Sequence, residues 1–134
     1  MKILALVLRI IFGLHFLLNG LNFFFHVVNI KGPNNPIATE LMGGFVQSGL
    51  FDVAKVTEIT VGILLLTNRF VPLALVLAVP VASIIAFVDI TLVRTLVGGW
   101  ILGGGTILLN AALLVCYLKY YKPMLAFRTT PGLD

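Results

Sequence analysis

His15, Asn19, Asn22 and His26 recur at steps of four, three and four. On an α-helix that spacing draws them onto one narrow stripe, roughly 16 Å long at the α-helical rise. Imidazoles and carboxamides aligned in this way can donate to a carbonyl oxygen or relay a proton. Glu58 and Asn110 add two further hydrogen-bonding groups, which makes His15, Asn19, Asn22, His26, Glu58 and Asn110 the candidate ligand-binding set. All six sit in or beside apolar sequence. An unpaired polar group in hydrocarbon costs several kcal/mol, so these side chains must face other helices, a ligand or water.

Charge pairing follows from the same reasoning. Arg9 and Glu58 fall within roughly 5 Å of one another in depth if the first two long apolar runs are antiparallel, with residue 3 of one level with residue 67 of the other. An isolated buried charge is far costlier than a paired one, so a structural ion pair between Arg9 and Glu58 is predicted. Lys55, one turn from Glu58, is the alternative partner. Asp89 with Arg94 and Asp52 with Lys55 are expected as interfacial pairs of little energetic value. In the last run Gly99, Gly103, Thr106 and Asn110 repeat the four-three-four spacing. Small and weakly polar residues in such a row let membrane helices approach closely, and the seam reads as a packing surface.

The elements that must position these groups are apolar runs over residues 3–28, 51–67, 70–93 and 100–121. A hydrocarbon layer roughly 30 Å thick is crossed by about 17–25 apolar helical residues. Hydrophobic residues form 60% of the chain, charged residues 10%, and mean hydropathy is +1.11. A soluble domain of 134 residues cannot bury so much apolar surface. The expected fold is all-α: a single domain built as a four-transmembrane-helix bundle, with a short amphipathic helix in the first, outer loop. That helix is announced by Asn35-Pro36, an N-cap followed by proline at the first helical position. It continues through Ile37, Leu41 and Phe45 and ends at Ser48-Gly49. Gly32 to Asn35 is a turn signal before it, Asn68-Arg69 links the second and third runs, and Gly98-Gly99 separate the third and fourth.

Charge distribution orients the bundle and narrows its partners. The net charge of +4 is scattered at run ends, which excludes a nucleic-acid patch. Lys2, Arg69, Lys119, Lys122 and Arg128 fall on the side of the two termini, with Lys31 and Arg94 opposite. The positive-inside rule then places both termini in the cytoplasm, in a multi-pass protein of the cell (inner or plasma) membrane. The first run is longer than the apolar region of a signal peptide and carries Arg9, both histidines and two asparagines, so it reads as a retained span. The single cysteine, Cys116, excludes an intrachain disulfide and CxxC chemistry. His15 and His26 are too far apart on one helix to grip one haem iron, and no cysteine cluster can hold iron–sulfur. No metal, haem or iron–sulfur cofactor is expected, and no catalysis by this chain alone.

Several segments resemble the DoxX-like family of small membrane proteins. They are Ser48-Gly-Leu-Phe-Asp52, Lys55-Val-Thr-Glu58, Gly62-Ile-Leu-Leu-Leu-Thr-Asn-Arg69 and Phe70-Val-Pro-Leu-Ala-Leu, together with Arg9 and Asn19-Gly-Leu-Asn22. The resemblance spans roughly residues 8–89. It implies a four-helix membrane bundle. Some members are small subunits of a quinone-reducing sulfur oxidation system, and others accompany quinone or thiol stress. Where the family carries a histidine late in its third span, this chain has Asp89. Three readings follow. In the first, a redox-associated protein, an accessory subunit of a quinone-linked oxidoreductase, holds a quinone-like lipophilic ligand in the bundle. In the second, the chain is a non-catalytic structural or assembly subunit, packed against other membrane subunits or its own copies. In the third, Glu58, His15 and Asp89 relay protons or a small solute.

Overall fold

The computed structural model describes residues 2–26 and 35–132. The turn signal at Gly32 to Asn34, Lys31, and the last two residues of the first apolar run lie outside them. Among the described residues five α-helices form the fold: α1 (Lys2–Phe25), α2 (Pro36–Ser48), α3 (Leu50–Leu66), α4 (Val71–Phe87) and α5 (Gly105–Cys116). Between α4 and α5 the backbone winds as two π-helical stretches, Val88–Val93 and Leu96–Gly104. Two 3-10 turns, Leu118–Tyr120 and Lys122–Leu125, follow α5.

Among the described residues three helical segments are long and apolar enough to cross a membrane: Lys2–Phe25, Val71–Val93 and Gly99–Cys116. α3, at 17 residues, is shorter and carries Asp52, Lys55 and Glu58. The helices turn apolar side chains outward, among them Ile3, Ile11, Leu18, Leu73, Leu77, Ile101 and Leu108. Water would penalise such a surface and acyl chains would not, so the architecture is that of a helical membrane protein.

Helix ends follow local chemistry. Asn35 caps α2 as its sequence predicts, its side-chain oxygen accepting from the N–H groups of Ile37 at 2.9 Å and Ala38 at 3.2 Å. Gly49, at φ 81°, closes α2 in the left-handed conformation that glycine enters without steric cost. The α3–α4 turn is tighter. Asn68 and Phe70 both take positive φ, 56° and 50°. A bulky residue there costs about 1–2 kcal/mol, and the turn is held by Arg69 N–H donating to Leu64 at 3.0 Å.

The core lies where α1, α3, α4 and α5 meet. Phe12 and Phe16 of α1 meet as tilted rings with centroids 4.5 Å apart and pack with Val61 and Leu65, with Ala74, Leu75, Ala78 and Ala82, and with Leu113. Glycine sets the closest approach. A Cβ on Gly62 would lie 2.7 Å from Leu17 Cβ and 2.8 Å from the Gly13 carbonyl, and one on Gly20 would lie 2.5 Å from Ile59. α1 and α3 therefore touch backbone to backbone, with Gly20 level with Ile59 and Gly13 level with Leu65.

That register brings the start of α1, the α3–α4 turn and the end of α5 to one end of the bundle. Arg9 Nη1 donates to Asn68 Oδ1 there, and Tyr121 Oη donates to the Pro72 carbonyl at 2.7 Å. Charge is segregated accordingly. Lys2, Arg9, Arg69, Lys119 and Lys122 gather at this end, while the acidic residues among the described ones (Glu40, Asp52, Glu58 and Asp89) all belong to the other, together with Lys55 and Arg94.

Candidate functional site

The stripe on α1 is divided among different tasks. His15 Nε2 lies 3.1 Å from Thr106 Oγ1 of α5. Thr106 donates its own hydroxyl to the Leu102 carbonyl at 2.6 Å, so it accepts from His15 Nε2–H. His15 Nδ1 is then the acceptor for the Asn19 amide at 3.3 Å. Asn110 of α5, 1% exposed, donates to the Leu75 carbonyl of α4 at 3.3 Å. These bonds join α1 to α5 and α5 to α4, and so fix helix register. Asn22 is half-buried on α1. His26 leaves the stripe: α1 ends at Phe25, and His26 turns left-handed at φ 52° with its side chain exposed.

Glu58 belongs elsewhere. It lines a cavity of about 190 Å3 between α2, α3, α4 and the first π-helical stretch, walled by Met42, Phe45, Phe51, Ala54, Val81, Ile85 and Val88. Lys55 and Asp89 are the other charged residues on its wall. Lys55 Nζ sits 3.1 Å from Glu58 Oε2 and 5.0 Å from the Phe51 ring centroid. Phe51 is itself propped by Phe23 of α1, edge to face at 4.9 Å. The cavity thus combines an apolar interior with a charge pair aimed by an aromatic ring, the mix that small-molecule sites show.

Two expectations about charge pairing change here. Glu58 pairs with Lys55, the alternative partner, and not with Arg9. The glycine-set register puts Glu58 level with Leu21, about twelve residues or roughly 18 Å along α1 from Arg9. Arg9 instead reaches Asn68 in the α3–α4 turn. Among the described residues no ion pair joins Asp89 to Arg94 or Asp52 to Lys55. The Arg94 guanidinium donates to the Thr91 carbonyl, and its backbone N–H donates to that of Asp89.

The predicted seam of the last run does pack, in three different ways. A Cβ on Gly99 would lie 2.6 Å from the Asp89 carbonyl, and one on Gly103 would lie 2.5 Å from Asp89 Cβ. Thr106 and Asn110 carry the bonds to α1 and α4 already given. Because Gly99 is needed for that approach, the break between the last two runs falls at Arg94-Thr95 and not at Gly98-Gly99. Arg94 takes φ 57° there. The same contact fixes Asp89 against the bundle at the cavity's edge. α2 covers the cavity, held by Asn35 Nδ2 donating to the Leu92 carbonyl at 3.2 Å.

Sequence reasoning missed most of the cavity. Its apolar wall comes from three helices with no shared spacing, and the available signal was the i, i+3 pair Lys55–Glu58 beside Phe51. Among the described residues no group of three or more His, Cys, Asp or Glu side chains is placed to hold a metal ion. No protein-family model, no curated protein and no solved structure matches the chain.

Proposed function

We propose that this chain crosses the cell membrane four times, both ends in the cytoplasm, and holds the polar head of a lipophilic, quinone-like ligand in the α2–α3–α4 cavity. The observation that carries the reading is the Lys55–Glu58 pair buried in an apolar wall. A charge pair contributes little to stability when its desolvation is repaid only by its own attraction. It becomes useful when one member also meets a ligand. Lys55, with three donors, is the group that would hold a carbonyl oxygen, while Glu58 keeps the ammonium in place. A dry cavity of about 150 Å3 accepts a benzene ring. The 190 Å3 here suits one substituted ring, with its tail passing out between helices.

Connectivity supports the four crossings. α1 and α4 both start at the end marked by Arg9, Asn68 and Pro72, so the chain must return between them. α3, packed along α1 through Gly62, is the returning segment. The resemblance to DoxX-like proteins supports both the count and the quinone association. An accessory role in a quinone-linked oxidoreductase follows from that resemblance.

A second reading, a non-catalytic assembly subunit, is favoured by the His15–Thr106 and Asn110–Leu75 bonds, which give the polar stripe a purely structural use. Binding of a short-chain quinone analogue to the full chain in lipid nanodiscs separates the two. Saturable binding lost in Lys55→Met and in Ala54→Leu supports the ligand reading; affinity equal in both variants and the parent abolishes it.

A further inference from the structure

A second cavity, of about 460 Å3, lies at the opposite end of the bundle, between the start of α1, the α3–α4 turn and the end of α5. Three cations line it: Lys2, Arg9 and Lys119. The acidic residues among the described ones all sit at the far end, so no carboxylate in its wall neutralises them. The guanidinium is also short of acceptors. Arg9 Nη1 donates to Asn68, but Nε is buried with no hydrogen-bond partner. A buried donor left unmade costs about 1–3 kcal/mol, more on a charged group. Lys119 is steered by the Tyr120 ring, with Nζ 5.0 Å from its centroid. Tyr117, Tyr120 and Tyr121 mark this level as a membrane–water interface, the depth at which lipid phosphates lie.

We infer that this cavity is a binding site for a phosphate group, held by Lys2, Arg9 and Lys119 between α1 and the end of α5. A phosphate supplies several charged acceptor oxygens to a site that has only donors, and it matches the planar fork of a guanidinium. Basic pockets between helices at this depth take the head groups of anionic lipids. Phosphate reaches the site from a lipid or from solution, and the chemistry of capture is the same.

Native mass spectrometry of the full chain in detergent, titrated with phosphatidylglycerol, phosphatidylcholine or soluble glycerol phosphate, tests the site. Phosphatidylglycerol should bind saturably and phosphatidylcholine should not. Lys2→Gln and Lys119→Gln should each weaken binding about fivefold, on the order of the contribution of one surface cation, and the double variant about 25-fold. Both side chains are exposed, so these variants carry the test even if Arg9→Gln disturbs the turn through Asn68. Lys122→Gln and Arg69→Gln, at the same end but outside the cavity, should leave affinity unchanged. Glycerol phosphate that binds with the same dependence on Lys2 and Lys119 identifies the phosphate alone as the ligand. Binding by the lipid only assigns the site to head groups. Equal retention of both lipids without glycerol phosphate binding, or equal weakening by Lys122→Gln and Arg69→Gln, overturns the inference.

Discussion

α3 has two faces with opposite characters. Toward α1 it is closed: Gly62 and Ile59 meet Gly13, Leu17 and Gly20 at distances that leave no room for one more carbon. Toward α2 and α4 it is open, and Ala54, Lys55 and Glu58 border a 190 Å3 void. In a membrane, lipid tails are as apolar as leucine and supply no hydrophobic drive between helices, so close packing must hold the bundle. The closed face fixes register. It thereby decides which residues line the open face.

Substitutions can break this contrast. Gly62→Leu should have the largest effect, about 3 kcal/mol at the upper end of overpacking costs, because Leu17 N and the Gly13 carbonyl cannot retreat as a flexible side chain would. Thermal unfolding in detergent reads it, and an unchanged midpoint would show that the α1–α3 seam is not tight. Glu58→Ala strands Lys55, and the loss should be about 2 kcal/mol, below the range for fully buried pairs since solvent still reaches 15% of the lysine side chain. The double variant Lys55→Met with Glu58→Met should recover most of that stability and, on the proposed function, still lose quinone-analogue binding. Asn110→Leu removes one interhelical bond and should cost about 0.6 kcal/mol, typical of polar contacts between membrane helices. Ala54→Leu grows into the void, so stability should move by no more than about 0.5 kcal/mol while quinone-analogue binding disappears. A large loss of stability from that last change would mean the open face is as full as the closed one.

Helical class and membrane character were legible because a long apolar run has few alternatives in physics. The Asn35-Pro36 start was legible for a similar reason, since its chemistry is local. Register was not. Levelling the ends of the first two runs put Arg9 near Glu58 in depth, whereas Gly13, Gly20 and Gly62 slide α3 until Arg9 meets Asn68. Those glycines carried the signal, as a small-residue seam like the one read in the last run. Periodicity also carried His26 onto the stripe, because it has no means of registering a left-handed residue that stops the helix. The cavity was the least legible part. Phe51, Val81 and Ile85 become neighbours only through tertiary structure, and each taken alone is an ordinary apolar residue.

Five cations at one end, and at the other four carboxylates half offset by Lys55 and Arg94, make the bundle a permanent electric dipole. A transmembrane voltage acts on each charge moved across it with about 2.3 kcal/mol per 100 mV. Turning the molecule over would drag both sets of charges through hydrocarbon. Its orientation in a membrane is thus settled once, at insertion.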